Sequence, residues 1–175
     1  MTRVGAVDVH YNEQGGARAA LVVCHELTFS KIEAEYAADI HRVAPYIPGA
    51  LFERELPCIR SVLALGPSLD LLIVDGYATL DPQGRPGLGA HTSCAIGIPV
   101  IGVAKSPFRT ATHAANVTRG TATRPLYITA TGIDISEAAR IVASMAGLNR
   151  IPDALASVDR LARGHRLPKR PTTPT

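Results

Sequence analysis

The sequence has few cysteines, no leader pattern and no long apolar run, and each absence excludes a class of protein. The three cysteines, Cys24, Cys58 and Cys94, are scattered and odd in number. They argue against a disulfide framework and a zinc site, and they suit a reducing cytoplasm. Residues 1–4 contain no apolar signal region. Glycine and proline interrupt the longest apolar runs, so we expect no membrane span and a cytoplasmic protein.

The length and composition are those of an ordinary globular domain. The chain has 175 residues, of which 46% are hydrophobic and 19% charged. A chain of this length can bury a substantial core, so folding needs neither disulfides nor a metal. No internal repeat or linker divides it. We expect a single domain over residues 1–165, a disordered basic and proline-rich tail at 166–175, and a monomer.

Charge is distributed unevenly along the chain. Residues 1–105 carry 8 Lys or Arg against 11 Asp or Glu, whereas residues 106–175 carry 10 against 4. An acidic part beside a basic part suits a metal site next to a surface that binds a polyanion such as nucleic acid. The alternative is that the basic residues are simply solvated faces of helices.

Several common catalytic motifs are missing. The glycines of residues 84–89 do not have the spacing of a Walker loop or a dinucleotide fingerprint. Ser93 has no nearby Asp/His pattern, and the glycine-flanked serine elbow is absent. On pattern alone, His91 is a buried, hydrogen-bonded histidine rather than a ligand. These absences leave the carboxylates and one rigid loop as the informative residues.

Hydrophobic periodicity predicts an α/β fold. Strands are predicted at 4–11, 19–25, 28–35, 71–74, 99–104 and 126–131. Helices are predicted at 57–65, 88–96, 134–146 and 152–163, with Pro57 in the first turn of its helix. Residues 106–124 lack periodicity and are predicted to be a mobile surface loop. An antiparallel meander followed by alternating strands and helices indicates a mixed sheet flanked by helices.

Three carboxylates lie where an apolar core would not place them. Asp8 is in the middle of the first strand, Asp75 ends the apolar run 71–74, and Glu55 follows Arg54. If the strands of Asp8 and Asp75 are adjacent and parallel, the two side chains converge. Carboxylates of this kind bind Mg²⁺ or Mn²⁺, with Glu55 as a third ligand. The alternative is that Asp8 lies on a solvated face.

A rigid loop precedes Glu55. Pro45 and Pro48 each fix φ near −65°, so the loop that presents Tyr46 and Ile47 is stiff. Such a loop can fill the gap left when a base leaves a duplex stack. The alternative is a tight turn whose tyrosine packs on the protein. Lys105, at the end of a predicted strand, could neutralise developing charge or orient a nucleophilic water.

Six stretches together resemble the endonuclease V family. In chain order they are Val-Gly-Ala-Val-Asp-Val-His-Tyr (4–11), Pro-Tyr-Ile-Pro-Gly-Ala-Leu-Phe-Glu-Arg-Glu-Leu-Pro (45–57), Asp-Leu-Leu-Ile-Val-Asp-Gly (70–76), Gly-Leu-Gly-Ala-His (87–91), Ile-Pro-Val-Ile-Gly-Val-Ala-Lys (98–105) and Pro-Leu-Tyr-Ile-Thr (125–129). The resemblance implies a ribonuclease-H-like fold and Mg²⁺- or Mn²⁺-dependent cleavage of the second phosphodiester 3′ to deoxyinosine or inosine, in DNA repair.

The resemblance also implies roles for individual residues. Metal-site carboxylates are Asp8, Glu55 and Asp75, and further catalytic residues are Lys105 and Asp159. Substrate-binding residues are Pro45, Tyr46, Ile47, Pro48, Gly49, Leu51, Gly76, Gly87, Leu88 and His91. Within this set Tyr46 matches the wedge that takes the place of the displaced base. Gly49, Leu51, Gly76, Gly87 and Leu88 match the wall of the hypoxanthine pocket.

The chain departs from the family pattern at positions around the carboxylates. They are Tyr77, Asp81 to Gln83, Ala90, Ile133, and Leu155 with Ala156. These departures motivate one alternative to cleavage of inosine-containing DNA, and the short segment after Lys105 motivates another. One is a nucleic-acid-binding protein that has lost efficient catalysis, and the other is a nuclease acting on inosine-containing RNA or branched DNA.

Overall fold

The computed structural model describes residues 2–48 and 50–164, and within them one sheet has two helices on each face. The strands are β1 (Val4–Tyr11), β2 (Ala17–Cys24), β3 (Ala34–Ile40), β4 (Leu71–Asp75), β5 (Val100–Ala104), β6 (Ala115–Val117) and β7 (Leu126–Thr131). The helices are α1 (Leu51–Leu63), α2 (Leu88–Ile96), α3 (Ile135–Ser144) and α4 (Asp153–Ala162). Gly49 and the predicted tail at 166–175 lie outside the described residues.

The sheet is mixed, as predicted. Its strand order is β3-β2-β1-β4-β5-β7-β6. Strands β1, β2 and β3 form an antiparallel meander. Strand β4 is parallel to both β1 and β5, and β7 is antiparallel to β5 and β6. The predicted α/β fold class is therefore confirmed, and the central strands β1, β4 and β5 run in one direction.

Each face of the sheet carries its own hydrophobic core. Alternation along β4 sends Leu72 and Val74 towards α1 and α2, and Ile73 towards α3 and α4. The same alternation along β2 places Leu21 in the core on the side of α1 and α2, called the first core, and Val22 in the second core, on the side of α3 and α4. Both cores exclude water from the centre of the sheet. The ends of β1 and β4 are thus held rigidly, and polar groups placed there have a defined geometry.

The third strand lies later in the chain than predicted. Strand β3 spans Ala34–Ile40, whereas residues 28–33 form a turn in which the buried Phe29 adopts a left-handed φ of 51°. The alternation of β3 is carried by Ala34, Tyr36, Ala38 and Ile40 against the first core. Alanine has a low strand propensity, so the sequence pattern over these residues is weak. Pairing with β2 forms the strand nevertheless.

The first helix begins two turns earlier than predicted. Helix α1 starts at Leu51 and contains Pro57 in its interior. Proline removes one intrahelical donor, which leaves the carbonyl of Glu53 without its usual partner. Both residues are exposed, so water can serve that carbonyl. Burial of Cys58, Ile59 and Val62 against the sheet maintains the helix despite the proline.

Residues 106–124 are not the mobile surface loop that the sequence indicated. They contain β6, which pairs with β7, and they bury Ala111, Val117 and Arg119. The guanidinium of Arg119 donates to the carbonyls of four residues at the end of α3 and just after it, namely Val142, Ala143, Gly147 and Asn149. Four backbone acceptors explain how an arginine can be only 6% exposed.

In the described ranges, no helix is long and apolar enough to cross a membrane.

Candidate active site

The register of two strands brings Asp8 and Asp75 together. Strands β1 and β4 are adjacent and parallel, and Val7 is paired with Val74. The next residue on each strand is therefore a carboxylate, so Asp8 and Asp75 lie side by side. Both line one small cavity whose opposite wall comes from Ile151 and α4. This placement is the one expected if the two strands were neighbours.

Glu55 and Asp159 approach the same point from the two faces of the sheet. Glu55 is on α1, and it lies close enough to Asp8 and Asp75 for their charges to disfavour its ionisation. Asp159 is on α4 and has the same effect on Asp8. The Asp159 carboxylate also accepts from Arg163 Nε at 3.1 Å. Four acidic residues separated in sequence thus lie close together around Asp8.

Burial and the neighbouring carboxylates make two members of this cluster, Asp8 and Glu55, reluctant to ionise. Burial, followed by the charge of Asp75, raises the pKa of Asp8 to about 7. Burial, followed by Asp8 and Asp75, raises the pKa of Glu55 to about 7. The backbone N–H of Val9 opposes the shift by donating to Asp8 Oδ1 at 2.9 Å. A cation at this position would favour the charged form of every member.

A tyrosine and an arginine lie next to Glu55 and contact each other. The Arg54 guanidinium lies 3.7 Å from the centre of the Tyr11 ring, in a cation–π contact. The Tyr11 hydroxyl is buried without a hydrogen-bond partner among the described residues. Burial and the neighbouring Glu55 carboxyl raise the pKa of Tyr11. Tyr11 and Arg54 thus pack together beside the Glu55 carboxyl.

The donor set suits a hard divalent cation, although its members are not arranged as ligands. Oxygen ligands in a charge-repelling cluster are what Mg²⁺ and Mn²⁺ prefer. Among the described residues, however, no three His, Cys, Asp or Glu side chains surround a common point closely enough to share an ion. Lys105 Nζ lies 3.4 Å from Asp75 Oδ2 and partly neutralises it. Side-chain rotation would be needed to form a complete ligand shell.

An apolar pocket opens directly beside the carboxylates. Its volume is about 270 Å³, and Asp75 is part of its wall. Leu51, Gly76, Gly87 and Leu88, four of the residues predicted to form a base pocket, line it together with Phe52, Tyr77, Leu80, Pro86 and Phe108. The volume and the apolar walls suit a nucleobase. The fifth predicted wall residue, Gly49, lies outside the described residues.

Two glycines permit the shape of this pocket. Gly76 follows Asp75 with φ of 119°, a conformation that side chains other than glycine rarely adopt, and this turns the chain away from the sheet. At Gly87, a β-carbon would lie 2.7 Å from the carbonyl oxygen of Tyr77. Helix α2 therefore begins in close contact with the segment that follows β4. His91, one turn into α2, stacks on Phe52 with ring centres 3.6 Å apart.

The rigid loop before α1 is exposed. Tyr46 is 60% and Ile47 50% accessible to solvent, and Pro45 and Pro48 flank them. The alternative in which the tyrosine packs on the protein is therefore not the observed arrangement. Two large side chains are exposed to solvent on a backbone that the prolines restrict, and such a surface is suited to insertion into a partner. The loop leads directly to Leu51, which belongs to the pocket.

Comparison with known proteins gives the family. The sequence pattern that defines the endonuclease V family matches residues 1–173. The chain belongs to the endonuclease V family. It is 34% identical over 164 residues to endonuclease V of Thermococcus kodakarensis, covering 93% of this chain and 78% of that protein. It is 40% identical over 113 residues to the Streptomyces coelicolor enzyme, which is 63% of this chain but only 47% of that protein.

Solved structures of endonuclease V share the fold. The enzyme of Streptomyces avermitilis superimposes with a TM-score of 0.78 at 28% identity, covering 93% of this chain and 80% of that one. The catalytic domain of human endonuclease V gives 0.77 at 26% identity, with coverage of 94% and 82%. The Ciona intestinalis enzyme, solved with a DNA containing an inosine followed by a ribo-adenosine, gives 0.81 at 19% identity, with coverage of 93% and 84%.

Sequence reasoning assigned no role to two residues of the candidate site. Arg150 Nη2 donates to the carbonyls of Lys105 at 2.5 Å and Pro125 at 2.8 Å, and so fixes the end of β5 beside the carboxylates. The Tyr77 hydroxyl donates to the Ser106 carbonyl at 2.7 Å. Both act on backbone groups distant in sequence, which no local pattern reveals. In the sequence, Tyr77 is marked only as a departure from the family pattern, two residues after Asp75.

Proposed function

We propose that this chain is a metal-dependent endonuclease that hydrolyses a phosphodiester 3′ to deoxyinosine or inosine, in the repair of deaminated bases in DNA. One observation carries the proposal. Asp75 is a member of the carboxylate cluster and also a wall of the apolar pocket. A base held in the pocket therefore leaves its own backbone phosphates within reach of the acidic residues.

The acidic cluster is the proposed binding site for Mg²⁺, with Mn²⁺ as a substitute. Asp8, Glu55 and Asp75 would hold the ion, and a bound ion relieves the repulsion that raises the pKa of Asp8 and Glu55. When bound, such an ion activates water and stabilises the charge of phosphodiester cleavage. Asp159 is held at the edge of the cluster by its ion pair with Arg163. Lys105 supplies a positive charge for the scissile phosphate.

The pocket and the loop are proposed to recognise the base together. The pocket would hold the hypoxanthine base, with Leu51, Gly76, Gly87 and Leu88 against its faces. The exposed Tyr46 and Ile47 would fill the space that the base leaves in the helix. The Ciona intestinalis relative was solved with inosine-containing DNA, which supports the same class of ligand here. His91 contributes indirectly, because it stacks on Phe52 of the pocket wall.

Two observations favour a second function. Lys105 already contacts Asp75, and among the described residues no three acidic side chains are placed to share an ion. A family member that binds altered bases but cleaves them poorly would have such a site. This second candidate predicts binding without efficient nicking.

A cleavage panel separates the candidates. Matched DNA and RNA strands, each with inosine or guanosine at one position, are incubated with the protein and Mg²⁺, Mn²⁺ or EDTA. The proposed function predicts a nick 3′ to inosine that requires the divalent ion. Retention of inosine strands in a gel shift without cleavage by either ion would instead select the binding protein. Cleavage confined to the RNA strands would reassign the substrate polymer.

A further inference from the structure

Two loops beside the candidate site are fastened together by side chains. The first, residues 76–87, follows β4, and the second, residues 105–114, follows β5. The Thr110 hydroxyl donates to the Leu80 carbonyl at 2.5 Å, and the Thr79 hydroxyl lies 2.7 Å from His113 Nε2. These contacts fix the distal part of the second loop. They leave its first residues, 106–109, to be held by another group.

Tyr77 supplies that group. Its hydroxyl donates to the Ser106 carbonyl at 2.7 Å, and its ring packs against Phe108 with centres 5.7 Å apart. In the described part of the chain, no other side chain from outside the loop hydrogen-bonds to residues 106–109. Ser106, Pro107, Phe108 and Arg109 are exposed, so neighbouring side chains do not bury this stretch.

The residues on either side of this hydrogen bond belong to the two halves of the site. Lys105, immediately before Ser106, contacts Asp75 at 3.4 Å. Phe108, two residues after it, is 43% exposed and lines the apolar pocket. Arg150 fixes the Lys105 carbonyl from the opposite side. A loss of the Tyr77 contact would therefore leave Lys105 held by Arg150 alone and would release the residues that follow it, up to Thr110.

We propose that Tyr77 is a positioning residue, whose hydroxyl holds the Lys105–Phe108 turn so that Lys105 faces Asp75 and Phe108 closes one wall of the pocket. The inference rests on the proposed function, because it assigns Tyr77 a role in the same site. Tyr77 touches neither metal ligand nor scissile bond in this role. It acts through the backbone of Ser106.

Hydrogen exchange tests the holding role without any activity. Tyr77→Phe removes the hydroxyl and retains the aromatic contact with Phe108. Tyr36→Phe is the matched control, because Tyr36 is a half-buried tyrosine on β3, far from the loop. Mass spectrometry of the peptide covering 105–114 should show faster amide exchange in Tyr77→Phe and wild-type exchange in Tyr36→Phe. Unchanged exchange in Tyr77→Phe would overturn the proposal, whether or not the wild type cleaves inosine strands.

Single-turnover cleavage then tests the effect on the site. We expect the rate constant of Tyr77→Phe on an inosine strand to fall on the order of tenfold, because a small displacement of a catalytic group is costly. Affinity for the strand without divalent ion should also fall, but by a smaller factor than the rate constant, because Tyr77 and Phe108 both line the pocket and Tyr77→Phe keeps both rings. Melting temperatures of both variants should be alike. A wild-type rate, or a rate loss accompanied by a lower melting temperature than in Tyr36→Phe, would contradict a positioning role.

Discussion

Asp75 connects the charged and the apolar parts of the candidate site. It ends β4, contacts Lys105 at 3.4 Å and lines the pocket, while its charge acts on both Asp8 and Glu55. The left-handed φ of Gly76 turns the chain immediately afterwards, so that the pocket wall begins at the next residue. One residue at a strand end thus belongs to both the apolar pocket and the acidic cluster.

The exposed tyrosine of the loop gives a prediction at the same scale. Tyr46→Ala should weaken binding of an inosine duplex by about 1–3 kcal/mol, the amount that an aromatic contact with a base contributes. Measured by fluorescence anisotropy without divalent ion, this is about a 5- to 150-fold rise in Kd. Leu148→Ala is the control, because Leu148 is 90% exposed and outside the loop. Equal affinity of Tyr46→Ala and wild type would show that the tyrosine is not a wedge.

At the scale of elements, a buried arginine joins β6 to α3 and α4. Arg119 follows β6, and its guanidinium donates to carbonyls at the C-terminal end of α3 and in the connection to α4. A positive charge at the C-terminal end of a helix is favourable. The same connection leads to α4, which carries Asp159. The arginine therefore links a sheet edge to a helix that forms part of the site.

Removal of this arginine should destabilise the fold. Arg119→Met leaves several buried carbonyls without a donor, at a cost of about 3–5 kcal/mol in the free energy of unfolding. Arg140→Met, on the exposed side of α3, should change it by less than about 0.5 kcal/mol. Urea denaturation followed by circular dichroism measures both. A loss of less than 1 kcal/mol in Arg119→Met would mean that water replaces the guanidinium without difficulty.

Element positions were predictable where apolar periodicity was strong. The boundaries of β1, β4, α2 and β7 agree closely with the sequence pattern, since each contains a regular alternation or a continuous apolar run. Strand β3 was misplaced because alanine carries its inward face. The start of α1 was misplaced because Pro57 resembles a first-turn residue. Strand β6 has three residues, too few to show a period, and exists because β7 provides a partner.

For the molecule as a whole, the acidic cluster opposes folding at neutral pH. The pKa of Asp8 lies near 7 in the folded chain, against an ordinary value of 3.8, and that of Glu55 lies near 7, against 4.5. The folded state therefore binds more protons than the unfolded state between about pH 4 and pH 7. Stability contributed by these groups falls as pH rises through that window, because ionisation brings buried charges together.

This sign gives a testable dependence on pH and metal. In EDTA, the melting temperature should be lower at pH 8 than at pH 5.5, and Asp8→Asn should reduce the difference. Addition of Mg²⁺ or Mn²⁺ at pH 8 should raise the melting temperature of the wild type, because the ion binds only the folded cluster. The same addition should have little effect on Asp8→Asn. Higher stability at pH 8 than at pH 5.5 in EDTA would contradict the raised pKa values.

Much of the candidate site could be located from sequence, because its residues lie at strand ends and in stiff loops. Asp8 lies within an apolar strand and Asp75 at the end of another, so both charges stand out in the sequence. They lie close together because β1 and β4 are parallel neighbours. Lys105 and Asp159 lie in the same region, as the family resemblance implied. Tyr77, Arg150 and Phe108 could not be found in this way. Their contacts depend on how two loops meet, which periodicity does not encode.

The most direct test of the metal-centred account is the cleavage of an inosine strand by Asp75→Asn with Mg²⁺. Asparagine preserves the shape of the side chain but removes its charge, so the site binds the metal ion weakly. The scissile phosphate then lacks the cation that would stabilise its charge. We expect the nicking rate to fall at least about 10²-fold, while binding of the strand without metal remains. Asp39→Asn, which affects only a surface pair with Arg18, should cleave at the wild-type rate. Wild-type nicking by Asp75→Asn would contradict the account.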